Sequence, residues 1–358
     1  MSLYQIDAWI KKKDKMKKIL ITGAMGFVGS NLSRILQNIL KDSFIIGIDN
    51  FLSSERIYEN EKNLDIFING AVEDNKILKL LDLYNIDTVF HLATYHGNST
   101  SVLNPIEDHQ NGALTTIKLL DYFQKKQLNR FVYSSAGCSM GTADEENCKF
   151  IEEVEEVTLK LDTPYQISKI VGEFYCNFYF KQFGVPTIRA RFQNVYGPGE
   201  ILGAGRWRGS DATIWRNVIP IFIYKALKNL PLIIYGLGEE SRDFIYVEDI
   251  VDGLIRCASA EGVAGDVFNL SCGVQTTIKD LAELIVEKTN STSKIILKDK
   301  RDWDSAHQRF ASTKKAEKIL NFKAMTSLED GIVKTIKWTN ANLDIIEKTI
   351  KKHEGRHE

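Results

Sequence analysis

Eight residues, Thr22-Gly23-Ala24-Met25-Gly26-Phe27-Val28-Gly29, restrict what this chain can fold into more than any other stretch. They separate a short apolar run, Lys18–Thr22, from an amphipathic stretch that continues to Leu40. The glycines fall as G-x-x-G-x-x-G. In that spacing the first permits a tight strand-to-helix turn, the second lets backbone approach a pyrophosphate, and the third lets helix and strand pack closely. Phosphates then meet the helix N-terminus, where unpaired N–H groups and the dipole favour negative charge. A second apolar run, 44–48, ends at Asp49, twenty residues after Gly29. A carboxylate there can hold ribose hydroxyls and repels a 2′-phosphate, which favours NAD over NADP. Alone, the glycines are compatible with an ordinary tight turn. Strand, loop, helix and second strand in order carry the dinucleotide reading.

The alternation continues. Residues 64–68, 88–92 and 130–134 and Thr187–Phe192 read as further strands. Residues 75–84 and most of 101–127 read as helical, as does Pro164–Phe183. Strands alternating with helices imply a parallel sheet covered on both faces, with ligands at the carboxyl ends of its strands. Gly23, Asp49, residues 91–94, residues 134–139 and Asn194 fall at or just after such ends and are expected to share one crevice. Tyr165 and Lys169 lie four residues apart, on one face of a helix. A tyrosine, with a pKa of about 10, is a poor base at neutral pH, and a neighbouring ammonium lowers that value. The pair can supply general acid–base chemistry, or be no more than a surface helix face.

With 358 residues the chain suggests two domains or one large one. Its net charge of −1 points to neither nucleic acid nor a membrane surface. Five cysteines without a Cys-x-x-Cys pair argue against disulfides or a zinc ribbon and suggest a cytoplasmic protein. The histidines form no ligand cluster, so no metal is expected, and no apolar run is long enough to cross a bilayer. Residues 1–16 read as an extension. Their basic run leads straight into a strand, unlike a secretory signal, although Leu3, Ile6, Trp9 and Ile10 could form a docking helix. Residues 196–216 are Gly- and Arg-rich and read as one long loop. The expected division is 1–16; a dinucleotide-binding unit, 17–193 with 241–262; a smaller unit, 194–240 with 263–345; and a tail, 346–358, expected to be solvated from Lys351 onward.

Six motifs in order carry a resemblance: 22–29, Asp49, His91-Leu92-Ala93, Tyr165-x-x-x-Lys169, Arg191 through Pro198, and Arg242-Asp243-Phe244-Ile245-Tyr246-Val247-x-Asp249. Over residues 17–322 the chain resembles the extended short-chain dehydrogenase/reductases that act on nucleotide sugars. This is the NAD-dependent epimerase/dehydratase group, UDP-glucose/galactose 4-epimerase-like. The resemblance implies an α/β fold: a Rossmann-type doubly wound parallel sheet with a smaller C-terminal α/β substrate-binding domain. It implies Tyr165 as the proton-transfer residue and Lys169 as the group that lowers its pKa and holds the nicotinamide ribose. It implies an NAD site at Gly23, Met25, Gly26, Phe27, Val28, Asp49, Asn50, Ala71, Val72, Leu92, Ala93, Thr94, Asn111, Ser134, Tyr165 and Lys169. A nucleotide-diphosphate sugar, with UDP favoured, would meet His96, Ser135, Asn194, Arg206, Arg208, Arg242 and Arg301. The loop 197–216 would close over the sugar, and helices 101–127 and 162–183 would pair two copies as a homodimer.

Three departures carry information. The family's Ser or Thr, five residues before Gly141, is here Ala136, which has no side-chain hydrogen bond to give. Ser135 is the expected substitute, with Ser139 or a direct substrate contact to Tyr165 as alternatives. Gly137-Cys138 supplies neither the Asp-Glu pair of the family's dehydratases nor the Glu of its decarboxylases. Cys138 matches the place of a catalytic cysteine in the 3,5-epimerases, or is a small buried residue. The aspartate of the family's Gly-Asp-Ile turn is missing from Gly70-Ala71-Val72. The expected activity is NAD-dependent epimerisation at sugar carbon 4. A 4-dehydrogenase, a 3,5-epimerase using Cys138 and an NAD-binding regulatory protein without turnover are the other readings.

Overall fold

The computed structural model describes residues 16–140, 152, 153, 159, 161–300 and 308–356. Seven parallel strands form one sheet: β1 (Lys18–Thr22), β2 (Phe44–Asp49), β3 (Ile66–Asn69), β4 (Thr88–His91), β5 (Arg130–Ala136), β6 (Thr187–Phe192) and β7 (Val267–Leu270). Their spatial order is β7-β6-β5-β4-β1-β2-β3, the doubly wound order that the resemblance implies, and the direction of winding reverses between β1 and β4. The strands are short apolar runs because both sheet faces are covered. β7 comes from the stretch that the sequence reading gave to the second unit, and it pairs with β6 from Val267 to Leu270.

Five helices bear on the site: α1 (Phe27–Ile39), α2 (Thr115–Phe123), α3 (Pro164–Phe183), α4 (Val247–Ser259) and α5 (Leu343–Lys351). On one face α1 and α4 bury Leu32, Leu36, Ile250 and Leu254 against Ile19, Ile21 and Phe268. On the other, α2 and α3 bury Leu119, Phe123, Cys176 and Tyr179 against Leu20, Phe131 and Tyr133. Each fully buried side chain of this size contributes roughly 1.5–3 kcal/mol, which fixes the strand ends as a rigid rim. The helical stretch expected over 101–127 is broken into Asn98–Leu103, Pro105–His109, a π-turn over Gln110–Leu114, and α2. Pro105, without an N–H, accounts for the first break.

Helices Val218–Leu227, Ile278–Thr289 and Leu328–Ala341 enclose a further core of Tyr196, Phe222, Ile223, Phe244 and Ile285. The tail expected from residue 346 begins inside a helix, and that part is packed. Ile346 and Ile350, one turn apart on α5, are buried against Leu202 and Ile214 of the long loop. Thr349 Oγ1 donates to Leu202 O (2.7 Å), and His353 Nε2 lies 2.8 Å from Gly203 O. The docking helix considered for residues 1–15 lies outside the described residues.

Candidate active site

The strand ends β1, β2, β4, β5 and β6 open into a cavity of about 380 Å³. The glycine loop forms its floor. A Cβ on Gly29 would come within 2.1 Å of Gly23 O, and one on Gly23, at φ +71°, within 2.9 Å of Ala93 N. Gly26 caps α1 without a side chain, and the first turn carries no acid. The positive end of α1 is thus left unneutralised at the cavity wall, as a bound pyrophosphate requires. Asp49 Oδ2 accepts from Met25 N (2.9 Å), and Oδ1 accepts from Phe51 N (2.9 Å) and Ser54 Oγ (2.7 Å). Burial pushes its carboxyl up while these bonds pull it down. Asp49 therefore ties the end of β2 to the glycine loop and lines the cavity beside Asn50. This floor fits a dinucleotide.

α3 starts where its sequence dictates: the Thr163 side chain accepts from Gln166 N, and Pro164 supplies a first-turn residue that needs no donor. Gly184, at φ +70°, ends it. Tyr165 and Lys169 both line the cavity. Lys169 Nζ donates to Ser134 O (2.6 Å) and stands 5.8 Å from the Tyr165 ring centre. Burial pulls Lys169 down to about 8, with Asp108 and Cys138 acting the other way. Burial pushes the Tyr165 phenol up, with Cys138 and Asp108 adding to it. The loss of water around the phenol, and not the lowering expected from Lys169, sets the direction of its shift. A positive charge entering the cavity would act in the opposite sense.

Ser135, at the end of β5, stands at the cavity wall. Its hydroxyl donates to Glu173 Oε1 (2.5 Å), and Glu173 also accepts from Arg191 Nε and Nη2 (2.7 Å each). Strand alternation explains this: Tyr133 and Ser135 face α3, and Tyr133 OH donates to Lys169 O (3.1 Å). Ser134 is committed as well, donating to His91 O (2.9 Å). Ala136 stands at the cavity wall. Burial raises the Cys138 thiol, with Arg309, Lys169 and Arg242 pulling weakly downward, so a thiolate is disfavoured. The side chain of Ser139 is outside what is described.

His91 is a packing residue, held between Thr22 Oγ1 (2.7 Å) and Thr116 Oγ1 (3.0 Å). His96 lines the cavity. Burial pulls both to about 3, helped at His96 by Arg216, Arg208 and Lys169. Below about pH 6.5 the unfolded chain binds a proton that folded His91 does not. The unfolded state then holds more protons, so stability falls with pH by up to ~1.4 kcal/mol per unit from this residue alone. Asp108 and Glu200, raised by burial to about 6 and 7, act with the opposite sign. Urea denaturation at pH 6.5 and pH 5 should therefore show His91→Gln losing about 2 kcal/mol less than the parent over that interval. Equal losses would mean that His91 protonates in place.

The long loop lies against the segment that follows Asp49. Gly205 N donates to Glu55 Oε1 (3.0 Å), Arg206 N to Leu52 O (3.1 Å) and Arg216 Nη1 to Ser53 O (3.2 Å). A Cβ on Gly205, at φ +91°, would lie 2.3 Å from Leu52 O. Lys352, just past α5, pairs with Glu55. Three expected substrate arginines do not line the cavity. Arg206 is exposed and bridges to Glu107 (2.9 Å). Arg208 is buried over the Tyr95 ring and donates to His96 O (2.6 Å). Arg242 Nη1 donates to Ser241 O (2.9 Å). Arg309 and Arg216 stand at the wall instead. Arg301 falls outside the described residues. Ala71 is also off the wall: its carbonyl accepts from Asp74 N in the turn before helix Asn75–Leu80. Gly23, Met25, Gly26, Phe27, Val28, Val72, Leu92, Ala93, Thr94, Asn111, Ser134 and Asn194 do line it.

Sequence reasoning missed Glu173, Gln193, Glu200 and Arg216. Glu173 had a signal: it follows Lys169 by four residues, on the same helix face. Arg216 and Glu200 had none, because their places depend on how the long loop folds back. Among the described residues no group of side chains could hold a metal ion, and no helix is long and apolar enough to cross a membrane.

Residues 19–271 match the model of the NAD dependent epimerase/dehydratase family. The structure of the Bordetella bronchiseptica enzyme WbmF in complex with NAD+ and UDP is similar, with a TM-score of 0.82 and 44% identity over 95% of this chain and 97% of that one. Epimerase Mth375 of Methanothermobacter thermautotrophicus has a TM-score of 0.86 and 34% identity over 97% of this chain and 99% of its own. The UDP-glucose 4-epimerase of Mycolicibacterium smegmatis is 26% identical over 90% of this chain and 98% of its length.

Proposed function

Because the chain belongs to the NAD-dependent epimerase/dehydratase family, we propose that it inverts carbon 4 of a UDP-sugar through a transient 4-keto sugar. The observation that carries this reading is the pairing of Tyr165 and Lys169 on one cavity wall with the acid-free start of α1 and Asp49 on the other. In it, Asp49 and Asn50 hold the adenosine ribose, and the start of α1 faces the pyrophosphate. Bound NAD+ supplies a hydride acceptor that later returns the hydride. Tyr165 takes the proton of the 4-hydroxyl as the hydride leaves that carbon, and returns it after the keto sugar has turned over. Lys169 orients the ribose near it. WbmF was solved with UDP, which supports the choice of nucleotide. Asn194 and Arg309 are proposed to meet the diphosphate.

The 137–138 pair offers no carboxylate, which counts against dehydration and decarboxylation. The raised Cys138 thiol counts against 3,5-epimerisation. Proton NMR of the NAD-loaded protein with UDP-glucose, UDP-galactose and their uronate and N-acetyl relatives, in deuterated water, tests the proposal. The expected result is a 4-epimer with no deuterium at carbons 3 and 5 and no net NADH at 340 nm. Deuterium at those carbons would transfer the assignment to Cys138, and net NADH to a dehydrogenase. A homodimer through α3 is part of the reading; Ile167, Phe174 and Phe178 are exposed there. Light scattering at twice 40.7 kDa would support it. Near-neutral charge and free Cys138, Cys176, Cys257 and Cys272 support a cytoplasmic location.

A further inference from the structure

The end of β5 lacks a hydroxyl where a reacting sugar would need one, and the two serines before Ala136 donate theirs elsewhere. Ser134 donates to His91 O and Ser135 to Glu173. Directly across the sheet, however, β5 and β6 run in register from Phe131 opposite Thr187 to Ala136 opposite Phe192. The next residue along β6 is Gln193, and it is brought beside Gly137. Its amide fills the space a side chain would take there: a Cβ on Gly137 would come within 1.9 Å of Gln193 Nε2 and 2.8 Å of its Oε1. Glycine at 137 is thus what lets the amide lie between Ala136 and Cys138.

Gln193 is 8% exposed and lines the same cavity as Tyr165, Ala136 and Cys138. Its Nε2 has no hydrogen-bond partner among the described residues. A buried amide donor left unpaired costs free energy, so such groups are normally satisfied by something. The two ends of an amide exchange by a half-turn of the last torsion, so either can face the cavity.

We propose that Gln193 is a catalytic residue that supplies the hydrogen bond missing at Ala136, its amide N–H donating to the oxygen on the reacting sugar carbon. The proposal rests on sugar oxidation at Tyr165. In that step the carbon gives a hydride to NAD+, the hydroxyl proton goes to Tyr165, and the oxygen ends as a ketone. An N–H needs only a lone pair on that oxygen, so it holds the oxygen throughout, and more tightly as negative charge develops there. A serine hydroxyl can also accept and pass on a proton; an amide N–H cannot. The proton must therefore go from sugar to Tyr165 without a relay.

Three variants of the NAD-loaded protein test this with the UDP-sugar that the parent converts. Gln193→Ala should lower kcat by about 10²-fold, the loss typical of one removed transition-state donor, with KM within about threefold. NAD content and melting temperature should stay at the parent's values. Adding Ala136→Ser to Gln193→Ala should restore at least about tenfold of that loss. Gln193→Glu, nearly the same shape, can donate only when protonated, so its kcat should rise as pH falls where the parent's does not. Retained kcat in Gln193→Ala overturns the proposal. So does a loss that tracks lost NAD or melting temperature, a failed rescue by Ala136→Ser, or an unchanged pH profile in Gln193→Glu. A parent that converts no UDP-sugar overturns both this and the function it rests on; an active parent with indifferent variants overturns this alone.

Discussion

Tyr165→Phe is expected to reduce turnover of the UDP-sugar by about 10³-fold while NAD released on denaturation stays at the parent's stoichiometry. The phenol adds one oxygen to a ring that the variant keeps, with Lys169 Nζ 5.8 Å from its centre. What disappears is the group that exchanges a proton with the sugar. Among the described residues no neighbour is placed to take over. Lys169 already donates to Ser134 O. Burial holds the Cys138 thiol up. His96 is pulled to about 3, which makes its neutral ring a feeble base. Retention of activity within tenfold would move the chemistry off α3, and His96 would be the first residue to substitute next. Stopped-flow absorbance at 340 nm separates the two steps, since a variant that cannot remove the proton should show no transient reduction of bound NAD.

The second large effect is on stability. Arg191→Ala should destabilise the fold by about 3–5 kcal/mol, the usual consequence of leaving one member of a buried ion pair uncompensated. Arg191 and Glu173 are 3% and 2% exposed and joined by two bonds of 2.7 Å. Glu173 would keep Ser135 as its one remaining side-chain donor. Denaturant titration followed by circular dichroism measures the loss. Replacing both partners, Glu173→Leu with Arg191→Met, should recover much of it. A cost below about 1 kcal/mol for Arg191→Ala would mean that water reaches the carboxylate.

What was legible in the sequence is what local spacing determines. The glycine triplet, the carboxylate at the end of β2 and the four-residue step from Tyr165 to Lys169 each depend on a few consecutive residues, and each lies where that reading puts it. The parallel sheet follows from alternation, because parallel strands need crossovers. What was not legible depends on contacts between distant segments. Arg206, Arg208 and Arg242 are arginines near a cavity, but Glu107, the His96 carbonyl and the Ser241 carbonyl compete for them. That Ser135, at the cavity wall, donates to Glu173 depends on how α3 packs against β5. Gln193 carries no pattern of its own; only the β5–β6 register shows what it touches.

The closure of the long loop has a consequence in time as well as in space. Leu202 and Gly203 are held by Thr349 and His353, 147 and 150 positions further along. A ribosome reaches residue 353 long after the seven strands have been made. At a typical ~5–20 residues per second, those 150 positions take roughly ten seconds or more. For the part of that interval after Leu270 the complete sheet can form its glycine loop while the stretch over Leu52–Glu55 still lacks its brace. A nascent chain therefore passes through a stage in which the dinucleotide cradle exists and its cover is loose.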